Sequence, residues 1–186
     1  MEEDLNRFRH ILADATGAVE SHYFLLPVAD TQGGDPLLQY RERVYAYELY
    51  HQLRRRWPDW KYSLAGEVDK QGHPIVRGPD LDGAKPDLLV HVPGKMNQNL
   101  AAIEIKAVRD GGNILNFDAI KDDLKKLVAF RRGARYAAVF LIIFGERIER
   151  VIKYGQRCAA GGIEIGLVEL YHHARPGERA RRCAWY

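Results

Sequence analysis

The spacing of apolar and polar positions changes period several times along this chain, and each change marks an element. Between residues 2 and 25, Leu5, Phe8, Ile11, Leu12 and Ala15 recur at helical spacing, with Gly17 placed to weaken or end the helix. PVADTQGGDP (27–36) is a loop by its glycine and proline content. A second amphipathic helix is predicted from roughly Pro36 to Trp57, where Pro58 stops it. Leu38, Arg41, Tyr45, Leu49 and Leu53 mark its stripe, and Glu48, Gln52 and Arg55 lie beside that stripe. The pattern then changes. WKYSLAGEV (60–68), PDLLVHV (86–92) and LAAIEIKAV (100–108) read as strands. They are joined by a turn (DKQGHP), a Gly/Pro loop (VRGPDLDGAKP) and a connection (PGKMNQN), which suggests an antiparallel meander.

Helical spacing returns in NFDAIKDDLKKLVAFRRG (116–133), with Phe117, Ile120, Leu124, Leu127 and Val128 facing the core and Gly133 closing the helix. YAAVFLIIF (136–144) reads as a central strand buried on both faces. A helix over ERIERVIKYGQRCAAG (146–161) and a strand over IEIGLVELY (163–171) follow. The tail 172–186 has no periodicity and is expected to be a basic appendage, with Trp185 and Tyr186 able to dock. The expected architecture is α/β: one mixed sheet flanked by helices, with an α-β-β-β-α-β core and an added N-terminal helical extension (1–35). No repeat or linker divides residues 1–186, so one domain is expected.

Composition narrows the function classes without choosing among them. The hydrophobic share is 46%, the charged share 28% and the net charge +3, as in ordinary globular proteins. Arg54–Arg56, Arg131, Arg132 and Arg135, and the arginines at 175, 179, 181 and 182 are compatible with a polyanionic partner, but for any one cluster solvated surface is the favoured reading. Cys158 and Cys183 lack metal-ligand spacing, and a reduced cytoplasmic protein is the expectation. The N-terminus has no basic region of a secretory signal, and the longest apolar run is half a membrane span, so no membrane role is expected. His172 and His173 have no zinc spacing and read as surface, and His51 reads as a structural histidine or a group supporting the site. Phosphate-loop patterns and Ser-His-Asp or Cys-His nucleophiles are missing.

The chemistry concentrates in LAAIEIKAV. Residues two apart in a strand face the same way, so Glu104 and Lys106 project together, opposite Ile103 and Ile105. Burying either charge unpaired costs several kcal/mol, so this face meets water or holds charged partners. Alone, Glu-x-Lys is also the pattern of a surface ion pair on an edge strand. Asp87, just after Pro86, precedes Glu104 by 17 positions, room for a strand, a turn and a return. Antiparallel pairing would set the two carboxylates side by side, an arrangement relieved by a cation with a preference for hard oxygen ligands, Mg²⁺ or Mn²⁺.

With Pro86-Asp87, Glu104-Ile105-Lys106 and this order of elements, the chain resembles the PD-(D/E)xK nuclease superfamily over roughly residues 36–145. The resemblance implies a restriction endonuclease-like fold and metal-dependent phosphodiester hydrolysis, with DNA expected ahead of RNA. Asp87 and Glu104 would hold one Mg²⁺ (or Mn²⁺) together with the Ile105 carbonyl, and Lys106 would orient water and stabilise negative charge. An acid from the preceding helix would reach the metal or its waters. Glu48 is the chosen residue, with Glu42 and then Glu67 as alternatives. Lys121, Lys125 and Lys126 would lie where family members contact phosphate; a solvated face paired with Asp122 and Asp123 fits equally. Cutting both strands together would take a homodimer. The rival expectation is a non-catalytic nucleic-acid-binding or protein-interaction module that keeps the fold.

Overall fold

A computed structural model describes residues 1–28, 37–66, 85–95, 97–108 and 117–186. Helix α1 (Glu2–Thr16) ends at Gly17, and a short α2 (Ser21–Phe24) leads into the ribbon of β1 (Leu26–Val28) and β2 (Leu37–Gln39). Helix α3 (Glu42–Arg55) precedes the meander of β3 (Ser63–Gly66), β4 (Leu88–His91) and β5 (Asn99–Val108). Helix α4 (Phe117–Arg132), β6 (Ala138–Gly145), α5 (Ile148–Ala160), β7 (Val168–His173) and β8 (Arg181–Cys183) follow.

Six strands form one mixed sheet in the order β3-β4-β5-β6-β7-β8. β3-β4-β5 is the expected antiparallel meander, β5-β6-β7 is parallel, and β8 closes the far edge antiparallel to β7. The element order from α3 to β6 is therefore α-β-β-β-α-β, as the apolar spacing predicts.

Strand alternation splits the core into two layers. Ile103, Ile105, Phe140, Ile142 and Phe144 pack with Leu5, Phe8 and Leu12 of α1 and Tyr45, Leu49 and Leu53 of α3. Ala102, Val139, Leu141 and Ile143 pack with Ile120, Leu124, Leu127 and Phe130 of α4 and Ile148 and Val151 of α5. Helices thus cover both faces, which is why β6 is apolar at every position. No helix among the described residues is long and apolar enough to cross a membrane.

Four sequence expectations are corrected. The second helix begins at Glu42, because the backbone of Leu37–Gln39 pairs with Leu26–Val28 instead of starting a helical turn, and this leaves Leu38 exposed. The last predicted strand begins at Val168, after a 3₁₀ turn over Ile165–Leu167. The tail is not an appendage: Arg181–Cys183 supplies the hydrogen-bonding partner of the β7 edge. Beyond it the buried Trp185 donates from Nε1 to the Val168 carbonyl at 2.8 Å, and Gln156 donates to the Trp185 carbonyl at 2.7 Å. Gly155 makes that docking fit, since a Cβ there would lie 2.3 Å from the indole. Finally, His173 is fully buried against Tyr45 and Phe24, not on the surface.

Candidate active site

The site begins where β5 outruns β4. The β4–β5 pairing reaches Leu88 opposite Ile103, whereas β5 continues to Val108 beside β6. Backbone N–H groups of β5 beyond Ile103 that point toward β4 therefore need other acceptors. Asp87, one residue before β4, accepts from the Ile105 N–H at Oδ2, 2.7 Å away. Glu42, at the start of α3, accepts from the Ala107 N–H at Oε1, 3.2 Å away. Two carboxylates thus replace the missing strand and are tied to the backbone on either side of Lys106. A residue's N–H and C=O leave a strand on the same side, so the Ile105 carbonyl also faces the Asp87 side.

On the opposite edge of this arrangement, Glu104 and Lys106 face α4, and α4 answers with charge. Its inward stripe carries Asp123 between Ile120, Leu127 and Phe130, all of them buried. Lys126 donates from Nζ to Glu104 Oε1 at 2.7 Å and to Asp123 Oδ1 at 3.2 Å. Lys106 Nζ lies 3.1 Å from Asp123 Oδ2 and 3.3 Å from Glu42 Oε2. The result is a connected cluster in which four carboxylates (Glu42, Asp87, Glu104, Asp123) meet two ammonium groups (Lys106, Lys126). Full ionisation would leave two surplus negative charges. Glu104 is only 2% exposed and Asp123 6%.

Burial sets the proton affinities here, and neighbours modify them. Burial, reinforced by the nearby Asp87 and Asp123 carboxylates, pushes Glu104 up to about 8 against the opposing pull of Lys126. Burial also raises Asp87, partly offset by the Ile105 N–H and Lys106. For the lysines, burial works against the charge, but acidic partners outweigh it. Asp123 and Glu42 hold Lys106 well above the ordinary lysine value, and Glu104 and Asp123 raise Lys126. Both amines are cations at neutral pH. Glu104 and Asp87 are the strained partners.

Asp87 is tied to the backbone of Ile105, between Glu104 and Lys106. Glu48 does not join them: it is buried on α3 and accepts from Gln52 Nε2 at 2.6 Å. At 3.6 residues per turn it points about 170° away from the Glu42–Arg43–Ala46–Tyr47–Tyr50 face that lines the Asp87 cleft. Glu42, the alternative from the same helix, is the acid that reaches Lys106. Glu67 lies outside the described residues. Lys121, Lys125 and His51 are exposed. Asp123 is the member of the cluster that reading the sequence missed, although a signal existed. It sits three residues after Ile120 and four before Leu127, squarely on the apolar stripe of α4.

A cleft of about 530 Å³ opens beside the cluster, lined by Glu42, Arg43, Tyr47, Tyr50, Gly66 and Asp87 among others. Among the described residues no three His, Cys, Asp or Glu side chains converge into a cage for a metal ion. The donors in this region are hard oxygens: the Asp87 carboxylate, bonded to the Ile105 N–H, the Glu104 carboxylate, which feels the Asp87 charge, and the Ile105 carbonyl on the Asp87 side of β5. Mg²⁺ commonly takes one or two carboxylates and keeps several waters, so this set fits a partly hydrated Mg²⁺ or Mn²⁺. No family model, no curated protein and no solved structure matches the chain.

Proposed function

We propose that this chain is a metal-dependent nuclease with a PD-(D/E)xK, restriction endonuclease-like core, hydrolysing phosphodiester bonds of nucleic acid, DNA ahead of RNA. One observation carries the reading: the Asp87 carboxylate is hydrogen-bonded to the backbone of Ile105, the residue between Glu104 and Lys106. That contact sets an aspartate, a glutamate and a lysine around one point at the end of the meander. Asp87 and Glu104 would hold Mg²⁺ or Mn²⁺, with the Ile105 carbonyl completing the protein's share. The bound ion would supply an acidified water and offset charge on the phosphoryl oxygens. Lys106, a cation held between Asp123 and Glu42, suits orienting water and neutralising developing negative charge better than removing a proton. Glu42 takes the role of the helix acid. Arg43, the exposed Tyr47 and the half-buried Tyr50 on one face of α3 give a strand a cation and stacking surfaces next to Asp87.

The test is cleavage of plasmid and single-stranded DNA with and without chelator, beside calorimetric Mn²⁺ titration. Lys106→Ala should lower turnover by about 10²–10³-fold while Mn²⁺ binding persists. Asp87→Ala should weaken metal binding and cleavage together, since it removes a charge and an oxygen ligand. Cleavage by Lys106→Ala at the wild-type rate, insensitive to chelator, sinks the reading. The ion pair that already satisfies Glu104 favours the rival, a non-catalytic module keeping this core. Wild-type protein that binds DNA yet takes up no Mn²⁺ would select it.

A further inference from the structure

Lys126 holds one oxygen of Glu104, the carboxylate assigned above to a divalent metal. Its Nζ is 2.7 Å from Oε1 of a glutamate that is almost wholly removed from solvent. The same ammonium is already 3.2 Å from Asp123 Oδ1, so it has a second acceptor and need not travel to release the first. Asp123 is itself buried, and its other oxygen faces Lys106 at 3.1 Å. Lys125, next in the chain, points outward and is exposed, so the contact belongs to one lysine and not to a basic helix face in general. We infer that Lys126 is a built-in counter-ion that competes with the divalent metal for Glu104, and that Asp123 is the carboxylate that keeps it when the metal displaces it. This rests on the metal-dependent reading above and adds to it a control over when the site loads.

The physical case is one of exclusion. Two cations cannot share Glu104 Oε1 at contact distance in a buried setting without strong repulsion. Without the ammonium, the ionised form of Glu104 would stand buried beside Asp87 and Asp123 with no counter-ion, a costly state that only a bound proton would relieve. Lys126 therefore stabilises the metal-free fold and weakens metal binding by the same interaction, because whatever favours the unliganded state must be given up on binding.

The experiment measures Mn²⁺ affinity by calorimetry on the full chain, without nucleic acid. Wild type is compared with Lys126→Met, Lys126→Gln, Lys126→Arg and Lys125→Met. Removing a charge-assisted hydrogen bond that must break on binding should tighten Mn²⁺ affinity by about tenfold or more in Lys126→Met and Lys126→Gln. Lys126→Arg, which keeps the charge, and Lys125→Met, which never touched the site, should stay within about threefold of wild type. The same Met and Gln variants should melt lower than wild type without metal and gain more in melting temperature on Mn²⁺ addition. Should Lys126→Met misfold, Lys126→Gln retains a hydrogen-bond donor for Glu104 and carries the comparison. Equal Mn²⁺ affinity in wild type and both neutral variants overturns the inference and leaves the nuclease reading standing. If neither wild type nor the neutral variants bind Mn²⁺ at millimolar concentration, the metal-dependent reading falls, and this inference with it.

Discussion

The two faces of the sheet bury polar groups in opposite ways. On the α1/α3 face, His173 is fully buried and shares one hydrogen bond of 2.7 Å between its Nδ1 and the Tyr45 hydroxyl. Aromatic rings enclose that pair: Tyr45 stacks on Phe144 with centroids 4.0 Å apart, and Phe24 meets His173 edge-on at 4.8 Å. On the α4 side, Glu104 and Asp123 are buried with two lysines and two further acids, Asp87 and Glu42, close by. The first site is a neutral pair in an apolar shell, and its burial pushes the histidine down to about 4, so the ring stays uncharged. The second site brings charged groups together out of water, and the desolvation cost surfaces as a glutamate pushed up to about 8, which favours its protonated form at neutral pH. A neutral pair of this kind belongs to the fold's packing. A charged, imperfectly balanced cluster costs stability that the fold alone gives no reason to spend, and such clusters mark functional positions more often than structural ones.

The largest effect expected from this contrast falls on the aromatic side. Tyr45→Ala removes a fully buried ring stacked on Phe144 and should cost about 3–5 kcal/mol in a urea or thermal unfolding experiment. A loss under about 1 kcal/mol would mean that this layer is not tightly packed, and the comparison would break at its first term.

A pH titration of stability comes next. His173 has a folded value of about 4 against an ordinary 6.5, so the unfolded chain binds more protons between those values. Its contribution is present in full above about pH 6.5 and is lost as pH falls toward 4, roughly 3 kcal/mol over the window. Replacing both partners, Tyr45→Phe with His173→Leu, removes donor and acceptor together and should flatten that part of the profile. An unchanged slope in the double variant would assign the acid sensitivity to other groups.

The smallest effect is the most telling. Glu104→Gln imitates the protonated side chain that burial favours and keeps its shape, so unfolding stability without metal should stay within about 1 kcal/mol of wild type or rise. Metal uptake should fall sharply in the same protein. A loss of more than about 2 kcal/mol without metal would show that the charged cluster holds the fold together, and the two faces would then differ in chemistry but not in purpose.

Along the chain, readability followed the range of the interactions involved. LAAIEIKAV, the meander and the helix around Ile120, Leu124 and Leu127 show in the apolar spacing, because strand and helix periods are local. Glu104 and Lys106 share a face for the same local reason, and the placement of Asp87 follows from one short antiparallel connection. Glu48 failed as the helix acid because a stripe read without its packing partners leaves the phase open. α3 turned Tyr45, Leu49 and Leu53 to the sheet, and that put Glu42 at the β5 edge instead. His173 reads as surface because it follows His172 and precedes exposed arginines; the strand carries it two positions past the buried Tyr171, to the end of β7.

By itself, then, the sequence determined the alternation of β5, the order of elements from α3 to β6, and the pairing of an acid and an amine on one strand face. Each of these depends on residues within a few positions of one another and on backbone periods that every chain obeys. Only the tertiary structure decided that β5 would outrun β4 and call Asp87 and Glu42 to its bare N–H groups. Only it brought Lys126 down onto Glu104, 22 positions away in sequence, and folded Arg181–Cys183 back onto the edge of β7. Those contacts satisfy charges and backbone groups that other elements left unpaired. Their partners could be identified only once the sheet and helices had packed and removed water from between them.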